Sequence, residues 1–351
     1  MHIKRSLLAL SLLVATAVSA CSGAAGRDDE PQADVESNDL TTAISCDAHL
    51  PMTVHFYDVE QGLAALVTLP DGRHILVDTG AAPTAPGCGE PCRRAHDNLV
   101  SGLQHDLGGK PIDVIWITHQ HMDHLGGAAD LLGRFKVGKY VENGRDQQSP
   151  EVIKTHTAAV AANTPIRTVG PSNPVSPLAS SKNLRIRAIV PPAWSTACKS
   201  DENECSIGLR IDYCGSSVLF TGDAELREEA TIDPHGAATL VQLGHHGSNT
   251  STGDAFLAKV SPKYAVVSAG HPGVGMNRSY CHPHASTLTR VTKALGGAGK
   301  GTIEAFDESV VCGQDTHSNW VRVPVSDRLW ATERDGDVVL VTTGDGNFTR
   351  R

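Results

Sequence analysis

Thr118-His119-Gln120-His121-Met122-Asp123-His124-Leu125-Gly126-Gly127 is the stretch that decides how this chain is read. It places three imidazoles and a carboxylate within six positions, directly after Ile112-Asp113-Val114-Ile115-Trp116-Ile117. That apolar run is rich in β-branched and aromatic residues and ends in a polar cluster, which predicts a buried strand. A strand delivers its end rigidly, and a tight loop there fans several side chains around one point. Imidazole nitrogen and carboxylate oxygen are zinc-type ligands, and a catalytic metal needs few protein ligands plus an open position for water. Histidines also cluster on surfaces by chance, but His-x-His-x-Asp-His at a strand end favours a metal site.

Working outward, further motifs fall in order along the chain. Upstream are Phe56-Tyr57-Asp58-Val59-Glu60-Gln61-Gly62, Leu69-Pro70-Asp71-Gly72 and Ile75-Leu76-Val77-Asp78-Thr79-Gly80. Downstream are Leu219-Phe220-Thr221-Gly222-Asp223, Leu243-Gly244-His245-His246-Gly247-Ser248 and Asn277-Arg278-Ser279-Tyr280-Cys281-His282-Pro283, and the series closes on Thr332 to Val338. This series resembles the metallo-β-lactamase superfamily. Within it, it is most similar to the soluble hydrolase domain of the late-competence DNA-uptake proteins, over roughly residues 50 to 345. Two positions depart from that family: Glu60 stands where Gly is usual and Leu63 where an acidic residue is usual. The membrane-channel portion of those proteins has no counterpart.

The resemblance implies an α/β fold, an αββα sandwich of two mixed β-sheets flanked by helices. The residues agree. Strand-like runs fall at 53–58, 64–69, 74–78, 112–117, 184–190, 207–213, 217–221, 238–243, 264–268 and 338–342, and helical stretches at 97–107, 127–134, 151–162 and 285–295. Asp71-Gly72 and Asp335-Gly336 read as hairpin turns. In such a fold the active groups sit on loops along one sheet edge.

The resemblance also implies the site. His119 and His121 hold one metal, Asp123 and His124 help hold a second, and Asp223 bridges the two; the bland reading of Thr-Gly-Asp-Ala is a turn or a helix cap. Adjacent histidines on an extended backbone point to opposite sides, so His245 and His246 present one ring to the metals unless a turn presents both. His282 matches the last ligand of the superfamily, the alternative being a His-Pro turn. If it binds metal, one of His245 and His246 positions phosphate or protonates the leaving group; the reverse allocation stays open. The predicted catalytic group is therefore Asp123, Asp223, His245 and His246, and the predicted ligands are His119, His121, Asp123, His124, Asp223, His246 and His282. Asp78 is expected to hold a ligating imidazole rather than the metal, with an Asp-Thr-Gly turn as its plain reading. Asn203, in an Asn-x-x-Ser pattern, and Ser248 are expected beside the ligands. Between the signature and Asp223 only His156 offers a further imidazole, and its polar helical context reads as a solvated surface residue. The cofactor expected is zinc, one or two ions, with manganese as the alternative. His55, His74, His96, His105, His235, His271 and His317 read as ordinary surface or core histidines.

The termini speak to location. Lys4 and Arg5 precede an apolar run, Leu7 to Val18, too short to span a membrane comfortably. Val18-Ser19-Ala20-Cys21 resembles a bacterial lipobox, so residues 1–20 read as a lipoprotein signal peptide and Cys21 as the lipidated residue, against a plain cleaved leader. Residues 21–45 carry six acidic side chains against Arg27 and read as a disordered tether; residues 46–351 form the hydrolase domain. Eight further cysteines, an even set, suggest disulfides in an exported chain, with Cys88/Cys92 and Cys198/Cys205 as local pairs and a zinc ribbon as the rival for Cys88 and Cys92. The expectation is an exported protein, lipid-anchored at the outer membrane or in the periplasm, with no other membrane attachment.

Charge bears on the substrate. A formal net charge of −9 makes the chain a poor general binder of nucleic acid and leaves a local basic groove as the way to hold one. The expected reaction is metal-assisted hydrolysis of a small or polymeric phosphodiester, nucleic acid or an envelope polymer. The alternatives are a lactonase or β-lactamase, or a non-catalytic binding module braced by metal.

Overall fold

The computed structural model describes residues 44–313 and 319–351. The expected leader, Cys21, the tether up to residue 43 and His317 lie outside the described residues. The strands in chain order are β1 (Met52–Phe56), β2 (Ala65–Thr68), β3 (His74–Val77), β4 (Ile112–Trp116), β5 (Val137–Glu142), β6 (Ile166–Thr168), β7 (Leu184–Ile189) and β8 (Gly208–Tyr213). They continue with β9 (Ser216–Phe220), β10 (Leu240–Gln242), β11 (Tyr264–Val267), β12 (Thr302–Phe306), β13 (Trp320–Pro324), β14 (Leu329–Ala331), β15 (Val338–Thr342) and β16 (Thr349–Arg350).

Two mixed sheets stack face to face. The first runs β16-β15-β1-β2-β3-β4-β5-β6, antiparallel as far as β3 and parallel from there. The second runs β14-β11-β10-β9-β8-β7, parallel as far as β9 and antiparallel beyond it. Between them lies one apolar core in which Val54, Phe56, Ile75, Val114 and Trp116 of the first sheet meet Leu209, Ile211, Val218, Phe220 and Val266 of the second. Phe56 and Phe220 touch across it, ring centroids 5.7 Å apart, and each such buried side chain stabilises the fold by about 1.5–3 kcal/mol. Helices cover the outer faces. Leu99 and Leu103 of Glu90–Leu107, Leu131 of Ala128–Arg134 and Val152 of Pro150–Ala161 pack on Leu66, Leu76 and Ile115. Phe256 and Val260 of Asp254–Val260 pack on Leu219 and Val241. This is the expected αββα sandwich. No helix among the described residues is long and apolar enough to cross a membrane.

Several local expectations differ. β5, β6, β12, β13, β14 and β16 lie outside the expected strand-like runs. β5 contains Gly138 and Lys139 and exists because β4 and β6 pair with it on both sides. The first long helix begins seven residues earlier than expected, with Pro91 in its first turn, where a missing N–H costs nothing. Asp335-Gly336 is not a hairpin turn. Thr332–Asp335 is a single helical turn, and Gly336, at φ 63°, redirects the chain into β15. The cysteines pair as Cys46–Cys214, Cys88–Cys92, Cys198–Cys205 and Cys281–Cys312.

Candidate metal centre

The signature loop follows β4 and is tied on every side. Asp78, directly after β3 and itself in a left-handed conformation at φ 56°, accepts from Thr118 N at 2.7 Å and Thr118 Oγ1 at 2.8 Å. Thr79 N donates to His124 O at 2.7 Å and Leu63 N to Asp123 O at 3.2 Å. The approach is close enough that a Cβ on Gly62 would stand 2.5 Å from Asp123 O, so only glycine fits there. Met122–Leu125 then forms one helical turn that carries Asp123 and His124 inward.

The second sheet meets this loop with its own strand ends. β9 ends in Thr221-Gly222-Asp223. Gly222, at φ 59°, turns against Thr118, where a Cβ would clash at 2.6 Å. Gln242 Oε1 accepts from the N–H groups of Thr221 and Gly222, and Ser206 Oγ from that of Asp223 at 3.2 Å. Beyond β10 both His245 and His246 are left-handed, at φ 48° and 51°. An extended backbone would send their rings to opposite sides; this conformation turns both toward the centre. Non-glycine residues held there are typical of functional sites, at a cost of about 1–3 kcal/mol each.

His119, Asp123, His124, Asp223 and His246 come together. Asp223 Oδ2 lies 3.2 Å from His124 Nε2, 3.3 Å from His246 Nε2 and 3.9 Å from His119 Nε2. His246 Nε2 is also 3.3 Å from Asp123 Oδ2 and 3.1 Å from His124 Nε2. All five side chains are buried. Within this cluster, His119, His124 and Asp223 form one group able to hold a cation, and Asp123, His124 and His246 another.

Three further histidines stand at the edge. His121 touches His119, Nδ1 to Nε2 at 3.0 Å, and belongs to neither group. His282 packs its ring 5.0 Å from that of His245 and 6.1 Å from that of His246, with Gln61 Nε2 3.4 Å from its Nδ1. His245 points Nε2 at Asn203 Nδ2 (3.3 Å) and Asp223 Oδ2 (4.0 Å), while its Nδ1 faces Glu225 Oε1 at 3.1 Å. Ser248 holds no ligand. Its hydroxyl braces the following turn through Thr250 N and Thr250 Oγ1. His156 lies away from the centre, 2.9 Å from the buried carboxylate of Glu142, which also accepts from Gln120 in the signature loop. Sequence reasoning passed over Glu225 and Gln61, although Glu225 stands only two residues after Asp223. It also passed over the carbonyl of Ser268, whose role no side chain announces.

The donor set fits a cation. His124 Nδ1 donates to Asp78 Oδ2 at 2.7 Å and His246 Nδ1 to Ser268 O at 2.8 Å. Both rings therefore aim Nε2 at each other, a contact that a shared proton or a cation must hold together. The second carboxylate oxygen, Asp223 Oδ1, is buried with no hydrogen-bond partner. Donor separations of 3.1–3.3 Å match the spacing of about 3.3 Å that four ligands take around a tetrahedral zinc with bonds near 2.0 Å. The electrostatics agree. Burial pulls His246 down, but the carboxylates of Asp223 and Asp123 outweigh it and raise it to about 9. His124 is raised in the same way by Asp223 and Asp78. Burial and neighbouring imidazoles hold His119 and His282 well below the usual value, leaving their lone pairs free.

Residues 57–271 match the model of the metallo-beta-lactamase superfamily. The chain belongs to this superfamily. It is 31% identical over 245 residues to ComE operon protein 3 of Bacillus subtilis, covering 67% of this chain and 30% of that protein. It is 29% identical over 242 residues to competence protein ComA of Neisseria gonorrhoeae, covering 68% and 29%. To recombination protein 2 of Haemophilus influenzae it is 27% identical over 235 residues, covering 67% and 26%. The chain thus spans less than a third of the length of these relatives. Metallo-β-lactamase superfamily members are, as a class, metal-dependent hydrolases whose fold typically binds zinc, and the clustered histidines and aspartates of this chain are residues that could hold it.

Proposed function

We propose that this chain is an exported, metal-dependent phosphodiesterase. The observation that carries the reading is the meeting of two inward-facing imidazole nitrogens, of His124 and His246, over two buried carboxylates at the strand ends. Asp123, His124, Asp223 and His246 would hold one ion, with His119 sharing Asp223. Such an ion supplies Lewis acidity, lowering the pKa of water toward neutrality and neutralising negative charge that develops in the transition state. Zinc suits this set, and manganese is the alternative. Asp223 Oδ1, unpartnered, is free to orient the attacking water. Asp78 fixes the tautomer of His124, so that Nε2 faces the centre. His245 lies on the open side, its side chain 17% exposed, with Glu225 behind it. From there it would hand a proton to the leaving group.

The phosphodiester class is supported by the likeness to proteins named for competence and recombination. Export is supported by the leader and lipobox pattern and by four cysteine pairs, which persist as disulfides in an oxidising compartment. The lipid on Cys21 would anchor the protein to the envelope, and the Cys21→Ala variant should then leave the membrane fraction for the soluble one. The direct test is hydrolysis of bis-p-nitrophenyl phosphate, a β-lactam and a lactone, each with and without chelator. Chelator-sensitive cleavage of the phosphodiester alone is expected. Cleavage of the β-lactam or lactone instead would overturn the substrate class, and cleavage of none of them would favour a metal-braced binding module.

A further inference from the structure

We propose that the outer face of β7 and β8, remote from the metal centre, is an anion subsite that holds backbone phosphates of a polyphosphodiester chain. Along β7 the residues Leu184, Ile186 and Ala188 enter the core, so Arg185 and Arg187 point outward. Register pairs Arg185 with Asp212 and Arg187 with Arg210, which puts three guanidiniums and one carboxylate on a single outer face. The outer apolar cluster takes in Leu219 and Val241 of the strands further in and, on β7, Ile189 at the end nearer the metal centre, leaving Arg185 at the other end exposed. A surface cavity of about 340 Å³ opens there, lined by Lys182, Arg185, Arg187, Asp212 and His235 among others.

The charges in this cavity do not cancel. Asp212 is the only carboxylate lining it, and two guanidiniums, of Arg187 and Arg210, already bind it. Arg210 also donates to the carbonyls of Pro234, Gly236 and Ala237 and is itself buried. The side chains of Lys182 and Arg185 have no hydrogen bond or ion pair among the described residues, and both are exposed. Two unpaired cations beside a half-neutralised guanidinium, on a chain of net charge −9, make a local positive field that attracts an anion. No phenyl, phenol or indole ring lines the cavity, so charge rather than an aromatic platform dominates it. The recognisable group is the phosphate.

Its position suits a polymer. β8 and β9 are antiparallel, with Leu209 opposite Phe220 at the metal end and Tyr213 opposite Ser216 at the other. Asp212 therefore lies three residues, about 10 Å, down the strand from the end that carries Asp223. A single phosphodiester at the metal centre cannot reach the cavity, whereas a chain of several units can. The inference rests on the phosphodiester reading above, and its test separates the two.

The charge-reversal pair Lys182→Glu/Arg185→Glu and the neutral pair Lys182→Gln/Arg185→Gln would be compared with an equal reversal elsewhere, Lys110→Glu/Lys136→Glu. The probe is a labelled twenty-nucleotide thymidylate strand, with inorganic pyrophosphate as competitor, across a salt series. The cavity reversal should weaken binding of the strand at least about tenfold, and both cavity pairs should lower the salt slope by about 1.4, that is about 0.7 for each lost phosphate contact. KM for the strand should rise with them, while kcat/KM for bis-p-nitrophenyl phosphate should stay unchanged. Unchanged affinity in the cavity variants, or an equal loss in the Lys110/Lys136 control, would overturn the subsite. Inactivity of the unaltered protein on bis-p-nitrophenyl phosphate would overturn the phosphodiesterase reading instead, since strand binding is read without catalysis.

Discussion

The second sheet has two chemically opposite ends. At one, Asp223 and His246 are buried and crowd nitrogen and oxygen atoms within about 3.3 Å of each other, with no lysine or arginine among them. At the other, Lys182 and Arg185 stand exposed with no anion to meet them. Each end attracts the ion its chemistry dictates: the first a cation and the second an anion. The contrast also separates rigidity from access. Burial and backbone bonds hold the donors in place, which preorganises chemistry, whereas the exposed cations sit on a regular strand and recruit by charge. On the function proposed above, catalysis would fall to the first end and retention of a long substrate to the second.

Substitutions should respect that division. Asp223→Ala removes the carboxylate shared by three imidazoles and should lower hydrolysis by at least about a thousandfold while far-ultraviolet circular dichroism stays that of a folded domain; retained turnover would reject its role. Asp78→Asn should cost about ten- to a hundredfold in metal affinity, read by titration against a chromogenic chelator. Unchanged affinity would make Asp78 a brace for the Thr118 turn and nothing more. At the far end the effect should fall on KM for a polymer and leave turnover of a small substrate alone, as set out above.

The smallest expected effect lies outside both ends. His55 bridges Asp106 (2.6 Å) and Asp337 (3.1 Å), tying β1 to the Glu90–Leu107 helix and to the start of β15. Burial lowers its pKa, but Asp337 and Asp106 outweigh this and leave it raised. A raised histidine contributes stability that is full below its unfolded value near 6.5 and is lost as the pH climbs through the folded value. With the ring partly open to water this should amount to roughly 0.5–1 kcal/mol. Urea midpoints should therefore fall between pH 6 and pH 8.5 in the unaltered protein and change less in His55→Asn. Equal slopes in the two would remove the bridge from the account.

The signature was legible because β4 presents its donors within one short loop, so that neighbours in sequence are neighbours in space. Asp223 was legible from the apolar strand before it. The joint presentation of His245 and His246 was not, because it depends on two left-handed residues that an alternating strand pattern does not encode. The spacing of His121 from His119 suggests a shared ion, and ahead of the helical turn that begins at Met122 its Nδ1 lies 3.0 Å from His119 Nε2. Between the signature and Asp223 only His156 offers an imidazole, and it does not reach the approach to His245 and Asp223. Asn203 and Ser206 occupy that approach, one on the ring of His245 and the other on the backbone of Asp223. Strands such as β5, fixed by partners on either side rather than by their own residues, leave no mark in a single sequence.

Elemental analysis of the intact protein, purified without chelator and assayed on the same sample, tests the central claim most directly. The account predicts one to two equivalents of zinc or manganese, lost together with hydrolysis on chelation and restored together with it. A metal-free preparation that hydrolyses bis-p-nitrophenyl phosphate at an undiminished rate would contradict it.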